Sequence, residues 1–422
     1  MVLEETRTST RLDSGDASQR EALSAGVLHT DSSKAVLITE AYYPPQVGGI
    51  SNYLANIVDT LGPNRICCVT AVPANSNTTV DEEAPRVYRV PDLRRKERVR
   101  RAAAWSKVWL RVRTRERPNL IVLGTADDSS LGFWLQRRLG IPVVLFAHGN
   151  EILSAISHRY DKPQMAFKRA TRIIVPSRYT AGLVAEAGSE RDRIAVVHPG
   201  CDPGFFRPVV VRAGFRERIL KGISNRTRVI LTVGNLVSRK GHDMVIRAIQ
   251  LLKNQAEDVV YLIAGDGPYR SDLEKLVMEL GVADRVIFAG KLAEEEIPYL
   301  YALCDVFVMP SRENLPGNDV EGFGLVFLEA NACNKPVVGG RSGGVPEAVL
   351  DGETGLLVDP HSAPEIARAL QSLLHNPELS RQLGEQGRTR VLREFQWTHV
   401  RERVLEVFAN ARAEGSALRN PT

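Results

Sequence analysis

The sequence predicts an α/β protein made of two doubly wound parallel sheets, and three observations carry that reading. Short apolar, β-rich runs alternate with helix-like stretches from Lys34 onward. The rhythm breaks at the Pro- and Gly-containing segment HPGCDPGFFRP (198–208) and then restarts. At 422 residues the chain is too long for one compact core and suits two domains of ordinary size.

In the first half the apolar runs are KAVLITE (34–40), RICCVTAV (65–72), LIVLGT (120–125), PVVLFAHG (142–149) and RIIVPS (172–177). Between the first two, GGISNYLANIVDTLG (48–62) has helical character. Each run is brief and unalternating, as in strands buried on both faces of a parallel sheet. The second half repeats the pattern with RVILTVGN (228–235), the helical HDMVIRAIQLL (242–252), VVYLIAGDG (259–267), RVIFAGK (285–291), CDVFVMPS (304–311) and KPVVGG (335–340). In GDGP, Pro268 suits a first helical turn and the glycines suit the bend before it. These runs place a tail at 1–32, a first domain at 33–207 and a second at 208–422. Two such domains facing one another bring both sets of strand ends to one cleft.

Composition narrows the class. Hydrophobic residues make up 43% and charged residues 25%, the balance of a soluble globular protein. No apolar run is long enough to cross a bilayer. The first thirty residues are polar and lack the apolar core of a signal peptide, so a disordered tail is expected there. Cys67, Cys68, Cys201, Cys304 and Cys333 form no CxxC pair and have no close histidine, which argues against a zinc site or a disulfide framework and fits a reducing cytoplasm.

The net charge of +5 is unevenly spread. Arg and Lys dominate residues 86–118, where Trp105, Val108, Trp109 and Val112 recur at helical spacing. Two readings stand: a domain helix with its apolar face in the core, or a basic amphipathic helix on an anionic membrane surface. No nucleic-acid motif accompanies the patch, so nucleic acid is not an expected partner.

Four features fall at expected strand ends or helix starts. In QVGGIS, Gly48 and Gly49 precede the first helix and let backbone N–H groups approach an anion, or simply make a tight turn. In FAHGNE, His148 ends a strand, where it either bonds a ligand hydroxyl or is satisfied by backbone. In GNLVSRKG, Arg239 and Lys240 precede a helix, so their charges and the helix dipole favour a phosphate. In EGFGLVFLEA, Glu321 and Glu329 lie eight positions apart. On one helix they would not share a stripe. A loop ending at Phe323-Gly324, followed by a helix carrying Glu329, would turn both carboxylates to one ligand. A carboxylate suits a polyol because it accepts from two vicinal hydroxyls.

With the E-x7-E element, GGIS, HGNE, RKG and SGGVPEAVLDGETGLLVDP, the chain resembles the family 4 nucleotide-sugar glycosyltransferases of GT-B fold over roughly Lys34 to Phe408. Within them it most resembles bacterial mannosyltransferases that act on lipid or oligosaccharide acceptors. The resemblance implies a retaining hexosyltransferase with no cofactor and no metal, in cell-envelope or exopolysaccharide synthesis. GDP-mannose is the leading donor and a UDP-hexose the second. It implies a first domain for the acceptor, a second for the donor, and a last helix packed back on the first. Gly48 and Gly49 would approach the donor diphosphate. His148 would meet the sugar near its 6-hydroxyl, and Lys240 with Arg239 would neutralise the diphosphate. Glu321 would hold sugar hydroxyls, supported by the Phe323, Gly324 and Leu325 backbone. Glu329 would accept from the ribose, and the base would sit near Lys291 and Leu292. On this reading His148, Lys240 and Glu321 are the catalytic residues. The chain has no D-x-D, the usual handle for a metal-bridged diphosphate.

One position departs from the family. Gly234-Asn235-Leu236 stands where glycine-arginine-leucine is usual. Losing that charge-assisted bond would cost about 1.5–3 kcal/mol unless Arg239 compensates. The departure keeps a non-catalytic nucleotide-sugar binder as an alternative, alongside a GT-B sugar-nucleotide epimerase. The acceptor would be a glycan or a lipid-linked sugar, with the basic stretch 86–118 at the inner face of the membrane.

Overall fold

The computed structural model describes residues 34–46, 48–72, 87–95, 97–157, 161–212, 214–314 and 319–417. The expected tail over 1–32, and positions 86 and 96 of the basic stretch, lie outside them.

The first sheet contains β1 (Ala35–Thr39), β2 (Ile66–Ala71), β3 (Val87–Val90), β4 (Leu120–Leu123), β5 (Val143–Phe146), β6 (Arg172–Val175) and β7 (Ile194–Val196). Their order is 3-2-1-4-5-6-7 and every pairing is parallel. The second sheet contains β8 (Arg228–Val233), β9 (Val259–Ala264), β10 (Val286–Gly290), β11 (Val306–Met309), β12 (Val337–Gly340) and β13 (Leu356–Val358), in the order 10-9-8-11-12-13. It too is parallel throughout. Both sheets are doubly wound, as the sequence predicts, and reverse direction at β1/β4 and β8/β11. Ligands bind at such switch points, outside the carboxyl ends of the strands.

The central strands β1, β4, β5 and β11 are buried at every position, because helices cover both faces of each sheet. β3, β7 and β13, which the sequence reading did not single out, are all edge strands. β7 and β13 span only three residues each, and β3 is broken as an apolar run by Arg89. Pro268 precedes its helix, which starts at Arg270, rather than sitting in the first turn. The reason is packing: a Cβ on Gly267 would lie 2.4 Å from the Leu236 carbonyl oxygen, so the bend is pressed onto that loop.

The last helix, Trp397–Ala417, returns to the first sheet and packs Val400, Val404, Val407, Phe408 and Ala411 into its core. Earlier in the chain, Cys201 and Phe206 already belong to the core of the second sheet.

The basic stretch forms the helix Arg98–Arg111. Val108 and Val112 are fully buried, and Trp105 and Trp109 pack half-buried on the same core. Arg101 covers the Trp105 ring at 5.7 Å and Arg113 covers Trp109 at 5.2 Å. The apolar face is therefore a core face, the first of the two readings. Val99 and Leu110 remain exposed among the arginines. No helix among the described residues is long and apolar enough to cross a membrane.

Candidate active site

The carboxyl ends of both sheets open onto one cavity of about 890 Å³. From the first domain it is lined by Gly48, Gly49, Thr125, Asp127, His148 and Lys162, among others. From the second come Asn235, Arg239, Lys240 and the segment Glu321 to Val326.

The second domain's wall is held by charge. β8 ends at Val233, and the chain then makes a short 3-10 turn over Ser238–Lys240. Gly241 closes that turn with φ 76°, and a Cβ there would lie 2.3 Å from the Pro310 carbonyl oxygen, so only glycine fits. The turn delivers Arg239 Nη1 and Lys240 Nζ to the same oxygen of Glu321, each at 2.5 Å. Arg239 Nε also pairs with Asp319 at 2.8 Å. Burial pushes the Glu321 carboxyl up, but the charges of Lys240 and Arg239 outweigh it and hold the group down at about 2. Burial pulls the Lys240 ammonium below its ordinary range, against the pull of Glu321. A largely buried, ion-paired triad is thus set at the strand end. Behind it, His242 is fully buried, bonded to the Tyr261 hydroxyl at 3.0 Å and to the Asn235 carbonyl at 3.4 Å. Burial lowers its imidazole to about 4, so it stays neutral.

The two glutamates are divided as the sequence suggests, between a loop and a helix. Gly324 takes the left-handed φ of 96° and the helix runs Leu325–Ala332. Glu321 is in the loop and Glu329 on the helix. Their surroundings differ. Glu329 accepts from the Tyr301 hydroxyl at 2.8 Å and does not line the cavity. Burial raises its carboxyl to about 7, against the Tyr301 bond that favours the charged form. Phe323 is buried, its ring stacked on His198 at 5.2 Å.

The first domain's wall is held by backbone. His148 follows β5, and its Nε2 lies 2.9 Å from the Gly124 carbonyl. A carbonyl only accepts, so Nε2 carries the hydrogen, and in the neutral ring Nδ1 is then the acceptor. The His148 N–H donates to Glu151 at 2.7 Å, which fixes the loop. Asp128 is fully buried and accepts from the N–H groups of Glu40 at 2.7 Å and Thr125 at 2.9 Å, tying the loops after β1 and β4 together. Burial raises the Asp128 carboxyl to about 7.

The structure thus brings together Gly48, Gly49, His148, Arg239, Lys240, Glu321, Phe323, Gly324 and Leu325 around one cavity. Lys291, which is exposed, and Leu292, half-buried, follow β10 and do not line it. The sequence reading missed Asp319, Tyr301, Asp128 and Lys162. Asp319 and Tyr301 act through contacts distant in sequence. Asp128 follows β4 and stands at the N-cap of the helix Ser129–Leu139, and Lys162 starts the helix Asp161–Arg169 between β5 and β6, so their place in the fold was the only available signal.

Comparison with known proteins decides the family. Residues 47–205 match Glycosyltransferase Family 4, and residues 216–390 match Glycosyl transferases group 1. Over 390 residues the chain is 34% identical to a GDP-mannose-dependent alpha-(1-6)-phosphatidylinositol monomannoside mannosyltransferase of Mycolicibacterium smegmatis, covering 89% of this chain and 99% of that one. The chain belongs to this glycosyltransferase family. A monoacylated phosphatidylinositol monomannoside mannosyltransferase of Corynebacterium glutamicum, also GDP-mannose-dependent, is 31% identical over 389 residues, 89% of this chain and 98% of that one. Among solved structures the glycosyltransferase resembles Anabaena HepE in complex with UDP and glucose, with a TM-score of 0.75, 21% identity and coverage of 90% and 100% of the two chains. It also resembles sucrose-phosphate synthase from Thermosynechococcus elongatus, with a TM-score of 0.76, 23% identity and coverage of 90% and 100%. These two show the shared GT-B fold.

Proposed function

We propose that this glycosyltransferase moves mannose from GDP-mannose to a phosphatidylinositol mannoside at a membrane surface, with retention and without a metal. Similarity along nearly the whole length of relatives so named carries the donor and acceptor. The site chemistry agrees with it. In the reaction the C1–oxygen bond to the diphosphate breaks and the acceptor oxygen bonds to C1. The acceptor's proton passes to the leaving phosphate, and GDP departs. Negative charge grows on the diphosphate, and fixed cations in a dry site stabilise it most effectively. Lys240 and Arg239 take that role. Glu321 holds them in place before the donor arrives, then turns to the sugar hydroxyls. His148, with Nδ1 as acceptor, receives a hydrogen bond from the sugar. Gly48 and Gly49 let the first helix approach the diphosphate. The family resemblance alone assigns the ribose to Glu329, backed by Tyr301, and the base to Lys291 and Leu292, since none of Glu329, Lys291 and Leu292 lines the cavity.

For the membrane, the arginine-rich face of the helix Arg98–Arg111, with exposed Val99 and Leu110, supports contact with anionic lipid. The test is a transfer assay with GDP-mannose or UDP-glucose and phosphatidylinositol monomannoside in anionic vesicles. Mannosylated lipid formed from GDP-mannose alone is the expected product. Transfer from UDP-glucose instead, or no transfer from either, would contradict the proposal. In parallel, vesicle flotation should show binding that weakens when the vesicles are neutral.

A further inference from the structure

Glu347, in the short helix Val345–Ala348, is not part of the cleft, yet its side chain crosses from the second domain to the first. Its Oε2 accepts from the Arg178 N–H at 2.9 Å and its Oε1 from the Tyr179 N–H at 3.1 Å. These are the first two donors of the helix Arg178–Glu186. That helix already caps its third donor internally, since the Ser177 side chain accepts from the Thr180 N–H. The first two have no partner within a helix. A carboxylate at a helix N-terminus also meets a favourable dipole.

Glu347 is itself fixed. Its carbonyl accepts from Arg390 Nη2 at 2.9 Å. Just before it, the Gly344 N–H donates to the Glu321 carbonyl at 2.9 Å. A Cβ on Gly344 would fall 2.0 Å from the Gly322 carbonyl oxygen, and a Cβ on Gly322 would fall 2.4 Å from that of His148. Three backbones are therefore stacked in direct contact: the Gly344 loop, the Glu321 loop and the His148 loop. Glu347 lies at the outer end of that stack and ties it to the first domain. Tyr179 adds a second link, its hydroxyl donating to Glu313, whose N–H is held by Ser342 Oγ at 3.0 Å.

We propose that Glu347 is a positioning residue: by bonding the helix start at Arg178 and Tyr179 it sets the distance between Glu321 and His148 across the cleft. The kinetic part rests on the transferase reading above; the structural part does not. Glu347→Ala and Glu347→Gln are compared with the unaltered protein by small-angle X-ray scattering, with and without GDP, and by steady-state transfer kinetics. Melting temperatures check folding. The alanine variant is expected to scatter as a more extended particle. Its kcat should fall at least about tenfold, since small misplacements of reacting groups are costly, with GDP affinity changed by less than about threefold. Glutamine, which keeps one acceptor, should restore part of both effects. Unchanged scattering in the alanine variant overturns the proposal, whether or not kcat falls. Opened scattering with full turnover also overturns it. If the unaltered protein shows no transfer, the transferase reading fails and scattering alone still decides the role of Glu347.

Discussion

On the second domain's wall, Arg239, Lys240, Glu321 and Asp319 hold one another by charge, at 2.5–2.8 Å. On the first domain's wall, His148 is held by a carbonyl and by its own N–H, and its Nδ1 is left for a ligand. Both walls stand at strand ends of the same topology, so fold does not explain the contrast. The ligand each must meet does. A diphosphate needs cations fixed before it binds, and an ion triad fixes them. A neutral sugar needs an uncommitted acceptor on a rigid loop. The cost falls on the charged wall, where removing one partner strands another buried charge.

The largest break in this comparison is Lys240→Met. Turnover should fall about 10²–10³-fold. Stability should drop by about 3–5 kcal/mol because Glu321 loses a buried partner, read as a lower midpoint in urea. His148→Asn touches the other wall and should behave differently. It is expected to lower kcat by about 10²-fold as a lost substrate contact, with GDP affinity and melting temperature near those of the unaltered protein. Equal losses of GDP binding in both variants would erase the distinction between the walls.

Asn235→Arg sharpens it further. Asn235 lines the cavity beside Arg239, whose guanidinium is already committed to Glu321 and Asp319. Adding a third cation should tighten GDP binding by about tenfold, the lower end of a charge-assisted bond. No gain would mean that Lys240 and Arg239 already suffice for the diphosphate without a third cation.

The smallest effect separates the two glutamates. Glu321 is depressed to about 2, so the stability it contributes is present above pH 4.5 and lost as pH falls through 2. Glu329 is raised from 4.5 to about 7, so its contribution is present below pH 4.5 and lost as pH rises through 7. Glu329→Gln should therefore melt above the unaltered protein at pH 8, with the gap closing toward pH 5. A gap independent of pH would show that Glu329 is ionised throughout.

Legibility in the sequence followed how local the cause was. β1, β4 and β5 are apolar runs and could be read directly, whereas β3 hides in the basic stretch as VYRV. Arg239, Lys240 and Glu321 announce themselves by short motifs at strand ends. Their mutual ion pairs do not, because 81 and 82 positions separate the partners. The Trp105 and Trp109 helix kept two readings open until the core showed which face was buried. Glu347 stands inside the SGGVPEAVLDGETGLLVDP motif, but its role gave no signal, since its partners lie 168 and 169 positions away and are backbone groups of another domain.

The most direct measurement is a calorimetric titration of the unaltered protein and Lys240→Met with GDP and UDP. The account predicts that GDP binds the unaltered protein more tightly than UDP does, and that Lys240→Met loses most of that binding. Preference for UDP, or GDP binding untouched by the loss of Lys240, would contradict the claim that the charged wall is the donor wall.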